Sequence, residues 1–285
     1  MNKNKKGLFW FLALTFIPTY LLEFILFING YTFIGKPATI VELVIVSVMF
    51  FPAIAAFIVR KFITKEGFKD SGLIIGKPTY YLQAYILIPA LFIAIYGITW
   101  LFIQAPDFSL NSFAREYGIT KLPLSPQVLI FAIFVSTITF APFINAIAAF
   151  GEEFGWRGYL LPKLMPLGTK KALIISGIIW GLWHAPLVLI GFHYGHQWAL
   201  GILFFTIFIM LLGIYIGYLR LVSGSVLIAA FAHGVFNAQA YGVWAVIFPN
   251  INPFIGGIYG LVGILILSAV SWFLFRLLKK QDFQK

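Results

Sequence analysis

The chain alternates long apolar runs with short polar segments. Eight runs approach the roughly 20 residues needed to cross a bilayer as a helix. They cover about 7–29, 38–59, 80–104, 127–153, 172–191, 198–220, 225–248 and 255–277. Threading these runs in order puts the connecting segments alternately on two sides. Of 20 Lys and Arg residues, 17 then fall on the side of the N-terminus. Only Lys36, Arg115 and Lys121 fall on the other. Basic loops stay in the cytosol. The pattern therefore predicts an all-α, polytopic membrane protein with about eight transmembrane helices and both termini cytosolic. Deleting any one run would scramble the charge alternation.

Composition agrees. Hydrophobic residues make up 61% of the 285 positions and charged residues 10%, against about 25% charged in soluble domains. The net charge of +11 sits in short loops, and no basic face is long enough to follow a phosphate backbone. Nucleic acid is excluded as a partner, and the bilayer is the expected solvent. With no cysteine, disulfides, Cys-ligated zinc and thiol catalysis are excluded. The basic start Met1–Lys6 resembles the opening of a signal peptide. Pro18, Tyr20 and Glu23 interrupt the run behind it, and no small-residue cleavage pattern follows, so a retained first span is expected. The Ile-, Phe- and Lys-rich usage points to a low-GC bacterium and its cell membrane. Three regions are expected: helices 1–3 with their loops over 1–125, a catalytic core over 126–250, and a last helix with a basic tail over 251–285.

Nine acidic residues remain to be explained. Glu66, Asp70, Asp107, Glu116 and Asp282 fall in loops or the tail. Thr39-x-x-Glu42 reads as a capping box at a helix start. Glu23 lies inside the first run with no assigned role. Glu152 and Glu153 end the fourth run, in Ala149-Phe-Gly-Glu-Glu-Phe-Gly-Trp-Arg-Gly158. A carboxylate kept beside lipid is a functional hypothesis by default. Glu153 and Arg157 are spaced i,i+4, acid before base, as a helical ion pair requires. Glu152 points about a hundred degrees away on the helix and has no local partner. Glu153–Arg157 is thus the structural pair and Glu152 the free carboxylate.

Four histidines are present. His193 and His196 sit in a short outer loop without a third ligand and read as solvated. His184 and His233 lie inside apolar runs, where a lone His usually serves as an interhelical hydrogen-bond donor. Asn237, one turn after His233, changes that weighting. Depth agrees too. If the fourth helix runs to Leu161, Glu152 stands about 14 Å from its inner end, His233 about 12 Å and His184 about 20 Å from theirs. One carboxylate and two imidazoles then share the cytosolic half of the membrane, which predicts a cytosol-facing site.

A buried Glu can take a proton from water. Two imidazoles can orient that water or, with Glu152, ligate Zn²⁺. The Asn237 amide can meet a developing oxyanion. Together these describe peptide-bond hydrolysis. There is no His-Glu-x-x-His and no Gly-x-Ser, and all three aspartates lie outside the spans. Zincin, Ser-elbow and aspartyl-dyad chemistry are therefore absent.

Three motifs in order carry a resemblance. Glu152-Glu-Phe-Gly-Trp-Arg-Gly-Tyr-Leu160 resembles the Glu-Glu-x-x-x-Arg motif of the CPBP family, also called Abi or CAAX-protease-and-bacteriocin-processing, which includes the type II CAAX prenyl endopeptidases. Trp180-Gly-Leu-Trp-His184 resembles its Phe-x-x-x-His, with Trp180 in place of the usual Phe. His233-Gly-Val-Phe-Asn237 resembles its His-x-x-x-Asn. The resemblance covers roughly 149–240. It implies Glu152 as water activator, Glu153 and Arg157 as a supporting pair, His184 and His233 as site histidines, and Asn237 as oxyanion stabiliser. It also implies a peptide or protein substrate, with lipidated peptides, bacteriocin maturation and self-immunity all within the family's range. Zinc on His184, His233 and Glu152 and a metal-free mechanism both stay open. No carboxylate is left over to orient the second nitrogens of the histidines, which argues against a tightly held metal. A non-catalytic immunity or binding protein and a proton-coupled transporter are the competing readings.

Overall fold

The computed structural model describes residues 3–33 and 39–280. Lys36, Asp282 and Lys285 of the charge pattern lie outside the described residues. The helices are α1 (Lys3–Ile28), α2 (Thr39–Val48), α3 (Phe51–Ile58), α4 (Pro78–Phe102), α5 (Asn111–Glu116), α6 (Pro126–Ile138) and α7 (Ala141–Gly155). They continue with α8 (Leu161–Leu164), α9 (Thr169–Trp183), α10 (Ala185–Leu189), α11 (Trp198–Ser223), α12 (Val226–Ala240), α13 (Val243–Ile247) and α14 (Leu261–Lys280). No strand occurs among the described residues. The molecule is an all-α, polytopic membrane protein.

Six helical stretches are long and apolar enough to cross a bilayer: Lys3–Ile28, Thr39–Ile63, Pro78–Phe102, Trp198–Ser223, Val226–Ile247 and Leu261–Lys279. The α6 helix and the stretch Ala141–Leu167 meet at a 51° bend and count as a seventh if taken as one span. The fifth predicted run, 172–191, is broken. Its helix α9 stops at Trp183, and α10 begins at Ala185 with Pro186 in its first turn. Proline lacks an N–H, so Pro186 cannot continue the hydrogen-bond ladder of α9. His184 therefore stands at a helix break, with φ −85° and ψ −2°, rather than inside a continuous span.

Small residues set how closely the central helices approach. A Cβ at Gly234 of α12 would lie 2.5 Å from the backbone N of Ala146 in α7. One at Gly151 would lie 2.6 Å from the Met49 carbonyl. Without lipid-excluding forces between spans, such close contact is what holds helices together. It seats α7 between α12 and the α2–α3 stretch.

The loops sort to two ends. At one end Arg60, fully buried, donates to Asp70 Oδ1 at 2.6 Å, to Gly67 O at 2.8 Å and to Gly158 O at 2.8 Å. Lys163 pairs with Glu66 at 2.7 Å, and Arg220 donates to Asp70 O at 3.2 Å. Burial opposes ionisation of Asp70, but the Arg60 hydrogen bond and charge hold its carboxyl below the ordinary value. Asn4 reaches Lys163 O, and Lys170 lies over the ring of Phe275, so the first and last helices share this end. It gathers the basic segments. At the other end Phe33 N donates to Ile190 O, Asp107 N to Ile247 O and Tyr194 Oη to Tyr259 O.

Candidate active site

Glu152 and Glu153 close the last regular turn of α7, just before a π-helical turn over Trp156–Leu160. Such turns widen the hydrogen-bond ring and re-aim nearby side chains. Both carboxylates are buried, at 3% and 0% exposure. Glu153 Oε1 accepts from Arg157 at 3.0 Å, the pair expected from the spacing. The Arg157 guanidinium also donates to Gly213 O at 3.3 Å and lies 4.2 Å over the Trp180 ring.

The same Glu153 oxygen accepts from His233 Nδ1 at 3.0 Å. This corrects the sequence reading, which found no carboxylate free to orient a histidine. Glu153 Oε1, which already accepts from Arg157, is thus placed to accept from Nδ1 of His233 as well. His184 Nδ1 donates to the Trp180 carbonyl at 2.9 Å, which fixes its proton the same way. Both rings are thereby held with Nε2 left for other work. Backbone and carboxylate acceptors are the usual means of setting a histidine's tautomer.

Trp180 ties the groups together. Its Nε1 donates to Glu152 Oε2 at 2.6 Å, and its ring meets His233 edge-on at 5.2 Å. Glu152 Oε1 has no hydrogen-bond partner among the described residues. A phenylalanine at this position would pack similarly but could not donate. Trp183 Nε1 donates to Thr19 Oγ1 at 3.0 Å, which ties α1 to the same wall.

Glu152, His184, His233 and Asn237 all line one cavity of about 680 Å³, with Trp180, Trp183, Phe208 and Phe236 among its walls. Asn237 sits one turn beyond His233, half-buried. The structure brings all four residues singled out in the sequence to one space. It does not bring them into a metal cage: among the described residues no three His, Asp or Glu side chains group closely enough to hold an ion.

The cavity also corrects two expectations. Its lining includes Phe33, Glu116, Tyr117, Gly191, His193, Tyr241, Pro249 and Tyr259. These come from loops and helix ends opposite the basic end. None of the basic-end loops contributes. At the basic end, where an opening was expected, Arg60 holds Gly67 and Asp70, Ser225 holds Ile74, and Trp156, Tyr159, Leu160 and Leu161 are 0–1% exposed. His193, read as a solvated loop residue, stacks on Tyr259 at 3.8 Å, and its Nε2 is buried without a partner among the described residues. Its loop turns back between Gly191 and Gly195, with His193 itself at φ 62°. The flanking glycines were the only sequence signal for that. His196 is exposed, as expected. Glu42, read as a capping residue, also lines the cavity.

Residues 134–239, from α6 to the end of α12, match the family described as type II CAAX prenyl endopeptidase Rce1-like. Over 56 residues the chain is 41% identical to a CAAX prenyl protease 2 of Methanococcus maripaludis. That alignment covers 19% of this chain and 21% of the relative, so the two are alike over about a fifth of their lengths. Together the matches support the CAAX protease, or CPBP, family. The family match takes in Glu152, His184, His233 and Asn237, the four residues singled out in the sequence.

Proposed function

We propose that the chain is an intramembrane endopeptidase that hydrolyses a peptide bond with water activated by Glu152 and His184. One observation carries this reading. Glu152 has one oxygen fixed by Trp180 and the other unpartnered on a cavity shared with two oriented imidazoles and an amide. The family and relative matches support the same reaction class.

The residues divide the work as follows. A water between Glu152 Oε1 and His184 Nε2 gives its proton to Glu152 as its oxygen attacks the carbonyl carbon. The Asn237 amide N–H donates to the resulting oxyanion. Glu152 passes the proton to the leaving amine as the C–N bond breaks. His233, with Nδ1 on Glu153, leaves Nε2 as an acceptor for a substrate backbone N–H beside Asn237. Among the described residues Glu152, His184 and His233 do not converge as metal ligands. The basic end is proposed to face the cytosol, since 17 of the 20 Lys and Arg fall on that side of the sequence-derived topology.

Trp180→Phe tests the role of the indole N–H. Hydrogen bonds to charged groups contribute about 1.5–3 kcal/mol. The variant should therefore lose roughly tenfold to a hundredfold in kcat, with KM and thermal stability near wild type. Steady-state kinetics on a quenched peptide would show it. Unchanged kcat would mean that Glu152 needs no donor from Trp180.

A further inference from the structure

Asn145 has no task in the proposed reaction, yet it lines the cavity from α7 together with Ala148 and Glu152. Residues at i, i+3 and i+7 share one helical face, so α7 turns an amide and a carboxylate toward the same space. At 1.5 Å per residue the two stand about 10 Å apart along the helix. Asn145 Nδ2 donates to Ala141 O at 2.9 Å, a bond back to its own helix of the kind short polar side chains make. Its Oδ1 has no hydrogen-bond partner among the described residues and is not sealed from the cavity.

The neighbouring helix places its polar groups in the same sense. A Cβ at Gly158, just past α7, would lie 3.7 Å from Val226 at the start of α12. One at Gly234 would lie 2.5 Å from both Ala146 N and Pro142 O. The two helices therefore run antiparallel. Passing from Glu152 to Asn145 on α7 leads the same way as passing from His233 to Asn237 on α12. Phe205, Phe208 and Phe236 give the cavity apolar walls.

An extended peptide carries a donor and an acceptor at nearly every residue. Between apolar walls each one left unpaired is costly. The groups around Glu152 serve the bond that breaks and leave the flanking backbone unserved. A strand rises about 3.3 Å per residue, so the 10 Å or so from Glu152 to Asn145 corresponds to about three residues. A peptide laid along α7 from the reacting carbonyl brings one of its N–H groups to Asn145 Oδ1.

Given the peptidase reading, we propose that Asn145 binds the substrate backbone, accepting a hydrogen bond from an N–H about three residues from the scissile bond and setting an extended register along α7. It does not touch the reacting atoms.

The test is a backbone ester scan. In an apolar peptide whose cleaved bond is located by mass spectrometry, each other amide is replaced in turn by an ester, which removes one N–H and keeps the side chains. With the wild-type chain, one ester two to four residues from the cleaved bond should raise KM by about threefold to tenfold, with kcat within about twofold. Asn145→Leu keeps the shape but offers no acceptor. It should raise KM for the all-amide peptide by the same factor, and the sensitive ester should then cost less than about twofold more. Asn145→Ala repeats the comparison with a side chain that cannot crowd the cavity. Paired peptides on one protein cancel any loss of folded fraction, which a merely structural role would cause. Fluorescence anisotropy on Glu152→Gln protein, with and without Asn145→Leu, reads the same coupling in binding. No sensitive ester in that range, coupling confined to positions outside it, or ester and substitution losses that multiply at every position would overturn the proposal. Coupled binding with no cleavage of any peptide would uphold the contact and sink the peptidase reading. Cleavage without coupling would do the reverse.

Discussion

Glu153→Gln should lower the stability of the folded chain by about 3–5 kcal/mol, the cost of stranding one partner of a buried ion pair. Arg157 is 1% exposed, and among the described residues its one ion pair is with Glu153. The amide keeps an acceptor but removes the charge that offsets the guanidinium. Thermal unfolding of the purified protein in detergent, followed by tryptophan fluorescence, would register a drop on the order of 10 °C. Replacing both partners, as Glu153→Leu with Arg157→Met, should recover much of that loss, because two apolar side chains leave no buried charge. Activity should not recover with it. His233 Nδ1 donates to Glu153 Oε1, and leucine offers no acceptor to hold the ring. Stability and activity would then separate in one pair of variants. A Glu153→Gln protein as stable as wild type would mean that Arg157 has another means of neutralisation.

Glu152→Gln should do the opposite. The glutamine carbonyl still accepts from Trp180 Nε1, so the wall of the cavity is kept and unfolding should stay near wild type. The general base is gone, and kcat should fall by about 10²–10⁴. Peptide binding should change little, because the cavity walls are intact. A fall in affinity with kcat preserved would assign Glu152 to substrate binding instead.

Much of the site was legible in the sequence because it follows local rules. The Glu153–Arg157 pair is a matter of helical spacing, and the isolation of Glu152 follows from it. The apolar runs and their basic flanks gave the all-α, polytopic architecture. What was not legible depends on where helices meet. The hydrogen bond from His233 to Glu153 joins residues 80 positions apart. The bond from Trp180 to Glu152 needs α9 and α7 side by side, which the spacing of neither helix predicts. Pro186 was in plain view. Hydropathy alone runs through it, and only the missing N–H of proline, which interrupts the helical ladder, puts His184 at a helix end. The direction of the cavity was lost for a different reason. Counting residues along straight helices gives a depth but says nothing of what covers each end. Loop 64–77 is held at the basic end by Arg60, and the glycine-flanked turn at 191–195 lines the cavity at the other, with His193 stacked on Tyr259.

The central claim is that this chain hydrolyses a peptide bond with its own side chains. The most direct measurement is mass spectrometry of an apolar peptide after incubation with purified protein, in the presence of a strong zinc chelator. Two fragments should appear, together heavier than the intact peptide by one water, from the wild-type chain and not from Glu152→Gln. An intact peptide with the wild type, or the same fragments from both proteins, would contradict the account.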